Sequence, residues 1–214
     1  MINAITNTIK ERLSDLDWVD RVAGLTIPAT KYGAEGQAEF VFPISSDADV
    51  VDCVRQGKYW ELVPNKSYNC CLYIEQQGPV RFDSFEKKYV WMNYLADLRI
   101  VGWVNLSKMG YVDAGKSGLF VVSIIKALLE DRGVMEVVDS DYTGAKLYIE
   151  IVGEVEKNQS IFSRYTYSRF SHFLVYPFDY FALDIRVKFL VSTDCVTPPA
   201  VEDEVCEDVS IDGD

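Results

Sequence analysis

The sequence is poor in the residues that most often build catalytic and metal sites. It contains one histidine, His172, so any mechanism or metal centre that needs two imidazoles is excluded. Its five cysteines form no C-x-x-C pair, and an odd count with two adjacent members, Cys70 and Cys71, indicates neither a disulfide framework nor a zinc site. No Ser-His-Asp or Cys-His group can be argued from one histidine that lies among aromatic residues. We therefore predict that the protein is not an enzyme and needs no cofactor or metal.

Long apolar runs and an excess of positive charge are also missing. The longest apolar run, 119–129, is interrupted by Ser123 and Lys126 and is shorter than the ~18 residues that suggest a membrane span. The first residues lack the basic and apolar regions of a signal peptide, which predicts a protein that is made and assembled in the cytosol. The net charge is −12, whereas a broad grip on nucleic-acid phosphates needs positive charge.

The acidic excess is concentrated at the C-terminus. Residues 195–214 contain seven carboxylates and no lysine or arginine, so they carry −7 and leave −5 for residues 1–194. Pro198 and Pro199 lie near the start of this segment, which has no helical or strand period. We predict one domain over 1–194 and an acidic, disordered tail over 195–214. The tail is either a solubilising extension or a segment that becomes ordered on a basic partner.

Hydrophobic periodicity predicts two helices and several strands. The first helix is marked by apolar residues three or four positions apart, namely Ile2, Ile5, Ile9, Leu13 and Leu16. The second is predicted from about Gly118 to Asp131, with Gly133 as its C-cap. Its apolar residues cover more than one face, as they do when a helix lies between a sheet and a further element or subunit.

Strand-like runs fill most of the remaining chain. They are predicted at 38–42 (ended by Pro43), 58–63, 68–75, 88–93, 98–106, 135–138, 146–156 and 181–192. The last of them alternates apolar and polar residues, which is typical of a half-buried antiparallel strand. The predicted fold class is therefore α+β, with a mixed, mainly antiparallel sheet, an N-terminal amphipathic helix and a second packed helix.

The sharpest motif is the segment GYVDAGKS at 110–117, which matches the phosphate-binding loop pattern G-x-x-x-x-G-K-[ST]. In that interpretation Gly110 and Gly115 shape a loop whose N–H groups surround phosphates, Lys116 reaches the β- and γ-phosphates, and Ser117 binds magnesium. The P-loop fold, however, needs several parallel strands with crossover helices, and the chain after Ser117 alternates like antiparallel strands. The competing interpretation is a glycine turn with Ser117 as the N-cap of the second helix. Nucleotide binding is therefore the alternative function.

A second feature is the density of aromatic side chains near the end of the domain. Nine aromatic residues lie between Phe162 and Phe181, with two arginines among them. Tyrosine and arginine are enriched in the binding hot spots of protein interfaces. Some of these residues are expected to fill the domain's own core, and the others to contact a neighbouring subunit. The predicted interface residues are Phe162, Arg164, Tyr165, Tyr167, Arg169 and Phe170.

The opening helix resembles the start of one group of viral proteins. Its residues Ile2-Asn3-Ala4-Ile5 and Ile9-Lys10-Glu11-Arg12-Leu13 are similar to the first helix of tail-terminator, tail-completion and head–tail connector proteins of tailed bacteriophages. The order of predicted elements, over most of residues 1–192, is similar as well. The resemblance implies a structural protein of the virion, assembled in the host cytoplasm, that forms a ring with copies of itself. It also implies that other neck or tail proteins stack above and below the ring, and that DNA passes through the channel without sequence-specific binding.

Overall fold

One mixed sheet with both helices on the same face forms the fold in the computed structural model. The structure describes residues 1–31, 40–45, 62–86, 90–112, 115–166 and 175–193. Within these residues the helices are α1 (Ile2–Ser14) and α2 (Ser117–Leu129). The strands are β1 (Arg21–Lys31), β2 (Phe40–Ser45), β3 (Cys70–Gln76), β4 (Arg81–Glu86), β5 (Trp91–Asn105), β6 (Val134–Glu136), β7 (Lys146–Glu154) and β8 (Phe178–Ser192).

The strands follow the order β2-β1-β3-β5-β8-β7-β6, and β4 pairs with β5 outside this path. The β1–β3 pair is parallel and the other pairs are antiparallel. The prediction of an α+β fold with a mixed, mainly antiparallel sheet, an N-terminal helix and a second packed helix is therefore confirmed.

The centre of the sheet is the pair formed by β5 and β8, each 15 residues long and paired along its whole length. On its other side, β5 pairs with β3 along its second half and with β4 along its first half. The turn 77–80 separates β3 from β4, so both run along the same edge of β5. One end of the sheet thus consists of β4, the start of β5 and the end of β8.

The helix face of the sheet carries the larger core. Ile5, Ile9 and Leu13 of α1 are fully buried there, because their three- and four-residue spacing places them on one side of the helix. The two helices are joined by Trp18, which donates a hydrogen bond to the Ser123 hydroxyl at 3.2 Å and packs on the Phe120 ring.

The opposite face carries a smaller core at one end only. Its members include Cys71 and Tyr73 of β3 and Trp103 of β5, covered by the segment that contains Ile161 and Phe162. Side chains alternate along a strand, so Cys70 lies in the helix-face core while Cys71 lies here. Both thiols are buried and free.

Several predicted boundaries were wrong. The runs predicted as two separate strands, at 88–93 and 98–106, contribute to the single strand β5, which continues through Asp97 on the charged outer face of the sheet. Strands β1 and β4 were not predicted. The run 58–63 lies mostly outside the described residues, and its last two residues belong to no strand.

Proline and glycine signals also misled the boundary predictions. Pro43 lies inside β2, opposite Pro28 of β1, since β2 is at the end of the sheet, where a missing N–H is tolerated. Gly133 does not cap α2, which ends at Leu129; Gly133 closes a following 3₁₀ turn with φ +72°. The predicted tail at 195–214 lies outside the described residues.

Candidate assembly surfaces

The GYVDAGKS segment follows β5 and precedes α2, as a phosphate-binding loop would. Strand β5, however, is antiparallel to both β3 and β8, so the parallel sheet of the P-loop fold is not formed. Ser117 is the first residue of α2 rather than its N-cap, and the residue at the N-cap position is Lys116, without a side-chain cap. The prediction that Ser117 caps the helix is therefore wrong.

A carboxylate of the chain itself, that of Asp179, lies beside this loop. The Gly115 N–H donates a hydrogen bond to Asp179 Oδ2 at 3.3 Å. The Asp179 side chain is buried and forms an ion pair with the Lys157 ammonium, which also lies 3.5 Å from the Ser117 hydroxyl. The Gly115 N–H that a phosphate would need is therefore already engaged by Asp179, whose charge is itself paired with Lys157. Gly110, with φ +80°, serves a turn after β5.

We expect the melting temperature of the protein to be unchanged by magnesium-ATP. A nucleotide present at one hundred times its Kd would add about 2.7 kcal/mol to the free energy of unfolding. For a chain of this size that corresponds to a rise of about 5–10 °C. Thermal unfolding with and without the nucleotide measures the difference. A rise that disappears in Lys116→Ala would contradict this expectation and restore the nucleotide-binding interpretation.

The aromatic segment is divided between the chain's own core and its surface. Phe162 is 1% exposed and stacks on Trp103, with ring centroids 4.8 Å apart. Tyr165 is also buried, and its hydroxyl donates to Glu75 Oε1 at 2.7 Å. Arg164 is more exposed and donates to the Gln76 carbonyl at 2.6 Å.

These positions refine the interface hypothesis without testing it. Phe162 and Tyr165 pack inside the chain, so Arg164 is the described member that offers surface to a partner. Tyr167, Arg169 and Phe170 lie outside the described residues.

The buried carboxyl of Glu75 makes the stability of this region depend on pH. Burial raises the pKa of Glu75 above its ordinary value, and the hydrogen bond from Tyr165 only partly opposes that effect. The folded chain therefore holds the Glu75 proton more tightly than the unfolded chain does. Ionisation of Glu75 costs nothing below its unfolded pKa of about 4.3 and destabilises the fold as the pH rises above that value.

We expect Glu75→Gln to raise the melting temperature at pH 7 relative to the unmodified protein, and the gain to shrink toward zero as the pH falls to about 4. The glutamine carbonyl can still accept the Tyr165 hydrogen bond, while its NH2 group replaces the oxygen that accepts from Gln77 Nε2 at 3.3 Å. The change therefore removes the ionisation together with that longer hydrogen bond. Melting curves between pH 4 and pH 8 measure it, with the exposed Glu150→Gln as the matched control. A loss of stability at neutral pH would contradict the expectation, because it would show that the Glu75 carboxylate stabilises the fold.

Helix α2 has two apolar faces, and the described residues pack against only one of them. Phe120, Val121, Ile124 and Leu128 are buried against the sheet and α1. On the other side lie residues spaced three, four and three positions apart, which places them on one stripe. This stripe, here named the outer face of α2, consists of Leu119 (57% exposed), Val122 (66%), Lys126 and Leu129 (42%).

A second exposed apolar surface lies at the far end of the sheet. A β-bulge in β4 between Phe82 and Ser84 shifts the alternation of side chains, so that Phe82 and Phe85 lie on the same face although they are three residues apart. Their ring centroids are 4.9 Å apart, and Phe82 meets Tyr94 edge to face at 5.7 Å. Phe82 is 51% and Phe85 47% exposed. Phe82, Phe85 and Tyr94 are here named the β4 patch.

The sheet face opposite the helices is open and charged beyond its small core. Asp97 of β5 accepts from Arg81 of β4 at 2.6 Å and from Arg186 of β8 at 2.9 Å. Next along the sheet, Arg99 and Asp184 form a two-bond pair at 2.7 and 3.0 Å. These pairs satisfy each other across neighbouring strands, so this part of the sheet is stable without apolar burial. Among the described residues no group of three or more His, Cys, Asp and Glu side chains could hold a metal ion.

Neither exposed apolar surface was fully predicted from the sequence. The apolar residues around α2 indicated a helix with two covered faces, and that signal locates the outer face. Phe82 and Phe85 gave no such signal, because a bulge cannot be recognised from a six-residue run of mixed polarity. In the described parts of the chain, no helix is both long and apolar enough to cross a membrane. Comparison with protein-family models and with curated protein sequences gave no match.

Proposed function

We propose that this protein is a structural, non-catalytic subunit that assembles with copies of itself into a ring of a bacteriophage neck or tail, as a tail terminator or head–tail connector. The observation that supports the proposal best is the outer face of α2, an apolar helix stripe against which none of the described residues packs closely enough to bury it. Contiguous exposed apolar surface on a soluble protein marks an interaction site more often than single scattered residues do.

Three apolar side chains of the outer face of α2 would contribute most of the free energy of such a contact. Leu119, Val122 and Leu129 are each about half exposed. Full burial of such a side chain contributes roughly 1.5–3 kcal/mol, so covering the exposed half of each contributes roughly 1 kcal/mol per residue. A ring multiplies that contribution, because every subunit makes the contact twice, once through each of two different surfaces.

The charge of the chain is compatible with a ring around DNA. A protein with a net charge of −12 repels phosphate rather than gripping it, and a channel that lets DNA pass requires weak binding. In this proposal the ring belongs to the virion and is assembled in the host cytoplasm. Other neck or tail proteins bind above and below it.

The experiment that tests the proposal is the mass of the purified full chain in solution, measured by light scattering over a range of concentrations with and without magnesium-ATP. We expect one defined multiple of the 24.3 kDa chain mass, unchanged by the nucleotide. A chain that stays at 24.3 kDa at the highest concentration would contradict self-assembly.

A further inference from the structure

We propose that the ring closes through one repeated contact, in which the outer face of α2 on one copy packs against the β4 patch of the next copy. This inference rests on the proposed function and adds to it the two surfaces that meet. It requires surfaces that differ from each other, since a head-to-tail contact joins two unlike patches whereas a two-fold contact joins a patch to itself.

The outer face of α2 and the β4 patch are two exposed apolar surfaces that lie on different elements. The outer face of α2 lies on a helix that packs over β7 and β8, whereas the β4 patch lies across β5 from those strands. A contact of α2 with a second α2 would cover one surface and leave the exposed half of Phe82 in contact with water. A contact between α2 and the β4 patch covers both surfaces with a single kind of interface.

The charge on the outer face of α2 disfavours a contact of this face with itself. Helix α2 contains no acidic residue, and Lys126 on its outer face has no ion-pair partner among the described residues. The nearest carboxylates, Glu130 and Asp131 directly after α2, are both paired with Arg12. Two such faces brought together would therefore place cation near cation, with those carboxylates already engaged. Pairing the outer face of α2 with itself is therefore electrostatically unfavourable.

The β4 patch offers the opposite charge. Its bulge presents Asp83, which accepts a hydrogen bond from the Ser84 hydroxyl at 3.0 Å and has no cationic partner in the described part of the chain. The flanking Arg81 and Glu86 are already engaged, with Asp97 and Lys188 respectively. Asp83 is thus the carboxylate of β4 that remains to be paired, and Lys126 of the next copy is the matching cation.

The two surfaces also carry side chains of complementary kinds, aliphatic on α2 and aromatic on the β4 patch. A helix that lays its apolar face on a hydrophobic surface of its partner is a common mode of recognition. Aromatic residues also dominate interface hot spots, because each buries a large area at a small cost in side-chain entropy. Phe82 and Phe85, 4.9 Å apart, form such a pair beside Tyr94.

The test mixes two full-length variants, each with one surface disabled. Val122→Glu removes the outer face of α2, and Phe82→Glu removes the β4 patch. Both positions are more than half exposed, and circular dichroism and melting temperature verify that each variant folds. We expect each variant alone to have the mass of one chain. Their equimolar mixture is expected to form a 1:1 heterodimer of twice that mass, because each supplies the surface that the other has lost and no further copy can add.

Three results would overturn this pairing. Dimers of Phe82→Glu alone would show that α2 pairs with itself. Assembly of Phe82→Glu like the unmodified protein would show that the β4 patch takes no part, and the proposed ring would then still stand. A mixture that contains only single chains would show that these two surfaces do not meet. A failure of the proposed function itself is distinguishable, because the unmodified chain would then stay a monomer.

A charge exchange tests the predicted contact between Lys126 and Asp83. We expect Lys126→Glu and Asp83→Lys each to weaken assembly by about fivefold or less, as partly exposed ion pairs do, and the double variant to recover it. A double variant as weak as the two single changes combined would overturn this contact.

Discussion

Gly102→Ala is expected to destabilise the core between β5 and β8 and so to lower the melting temperature of the protein. Gly102 of β5 lies directly opposite Phe181 of β8, whose fully buried ring covers it. A Cβ at position 102 would lie 2.2 Å from Phe181 Cζ and 2.5 Å from Cε2, distances that real atoms do not tolerate. Phe181 must therefore move within a packed core. Overpacking of this kind costs about 1–3 kcal/mol, which lowers the melting temperature of a chain of this size by about 2–12 °C.

The matched control is Gly78→Ala, because no atom lies within 4 Å of a Cβ built at position 78. We expect that variant to melt within about 2 °C of the unmodified protein, as surface changes do. The double variant Gly102→Ala with Phe181→Leu is expected to recover part of the loss, since leucine vacates the space of the ring. Equal melting temperatures for Gly102→Ala and Gly78→Ala would contradict the packing of Phe181 over Gly102.

Val122→Glu is expected to abolish assembly while leaving the fold intact. Val122 is 66% exposed in the single chain, and glutamate is a good helix former, so the subunit should fold normally. In the assembled ring the new carboxylate would be buried against a neighbour, and as the residue four positions before Lys126 it would also draw that ammonium away from Asp83 of the next copy. We expect a loss of at least about 3 kcal/mol per contact, or a Kd weaker by roughly a hundredfold or more.

The control for this change is Val152→Glu, which introduces the same side chain at a residue of β7 that is 58% exposed. It alters net charge and surface polarity equally but lies outside both proposed surfaces, so its assembly should match that of the unmodified protein. Light scattering at matched concentrations compares the variants. Equal loss of assembly in both would indicate a general charge effect and would contradict a specific role for α2.

The elements with regular periodicity were predictable from the sequence. Helix α1 and strand β8 each carry one apolar stripe at a constant spacing, and both formed where predicted. Strand β1 was not predicted because Gly24 and Pro28 lie within it. Pro28 is tolerated because the pairing with β3 ends at Leu25, after which β1 pairs only with β2.

The sites depend on contacts between residues far apart in sequence, and the sequence alone does not contain those contacts. The GYVDAGKS pattern matched a phosphate-binding loop, yet the carboxylate that lies beside Gly115 comes from Asp179, on the last strand. Tyr165 was predicted at an interface because of its type, and its partner Glu75 becomes apparent only when β3 and the 3₁₀ turn at Gln159–Phe162 are placed together. The outer face of α2 could be predicted in part from the sequence. A helix that is apolar on two sides is expected to be buried on both of them.

The central claim is that this chain closes into a ring, and electron microscopy of the purified full-length protein tests it most directly. Class averages of negatively stained particles give both the shape and the number of subunits. We expect closed rings with a central opening and a fixed subunit number for the unmodified protein, and single small particles for Val122→Glu. Two-fold dimers without an opening, or rings that persist in Val122→Glu, would contradict it.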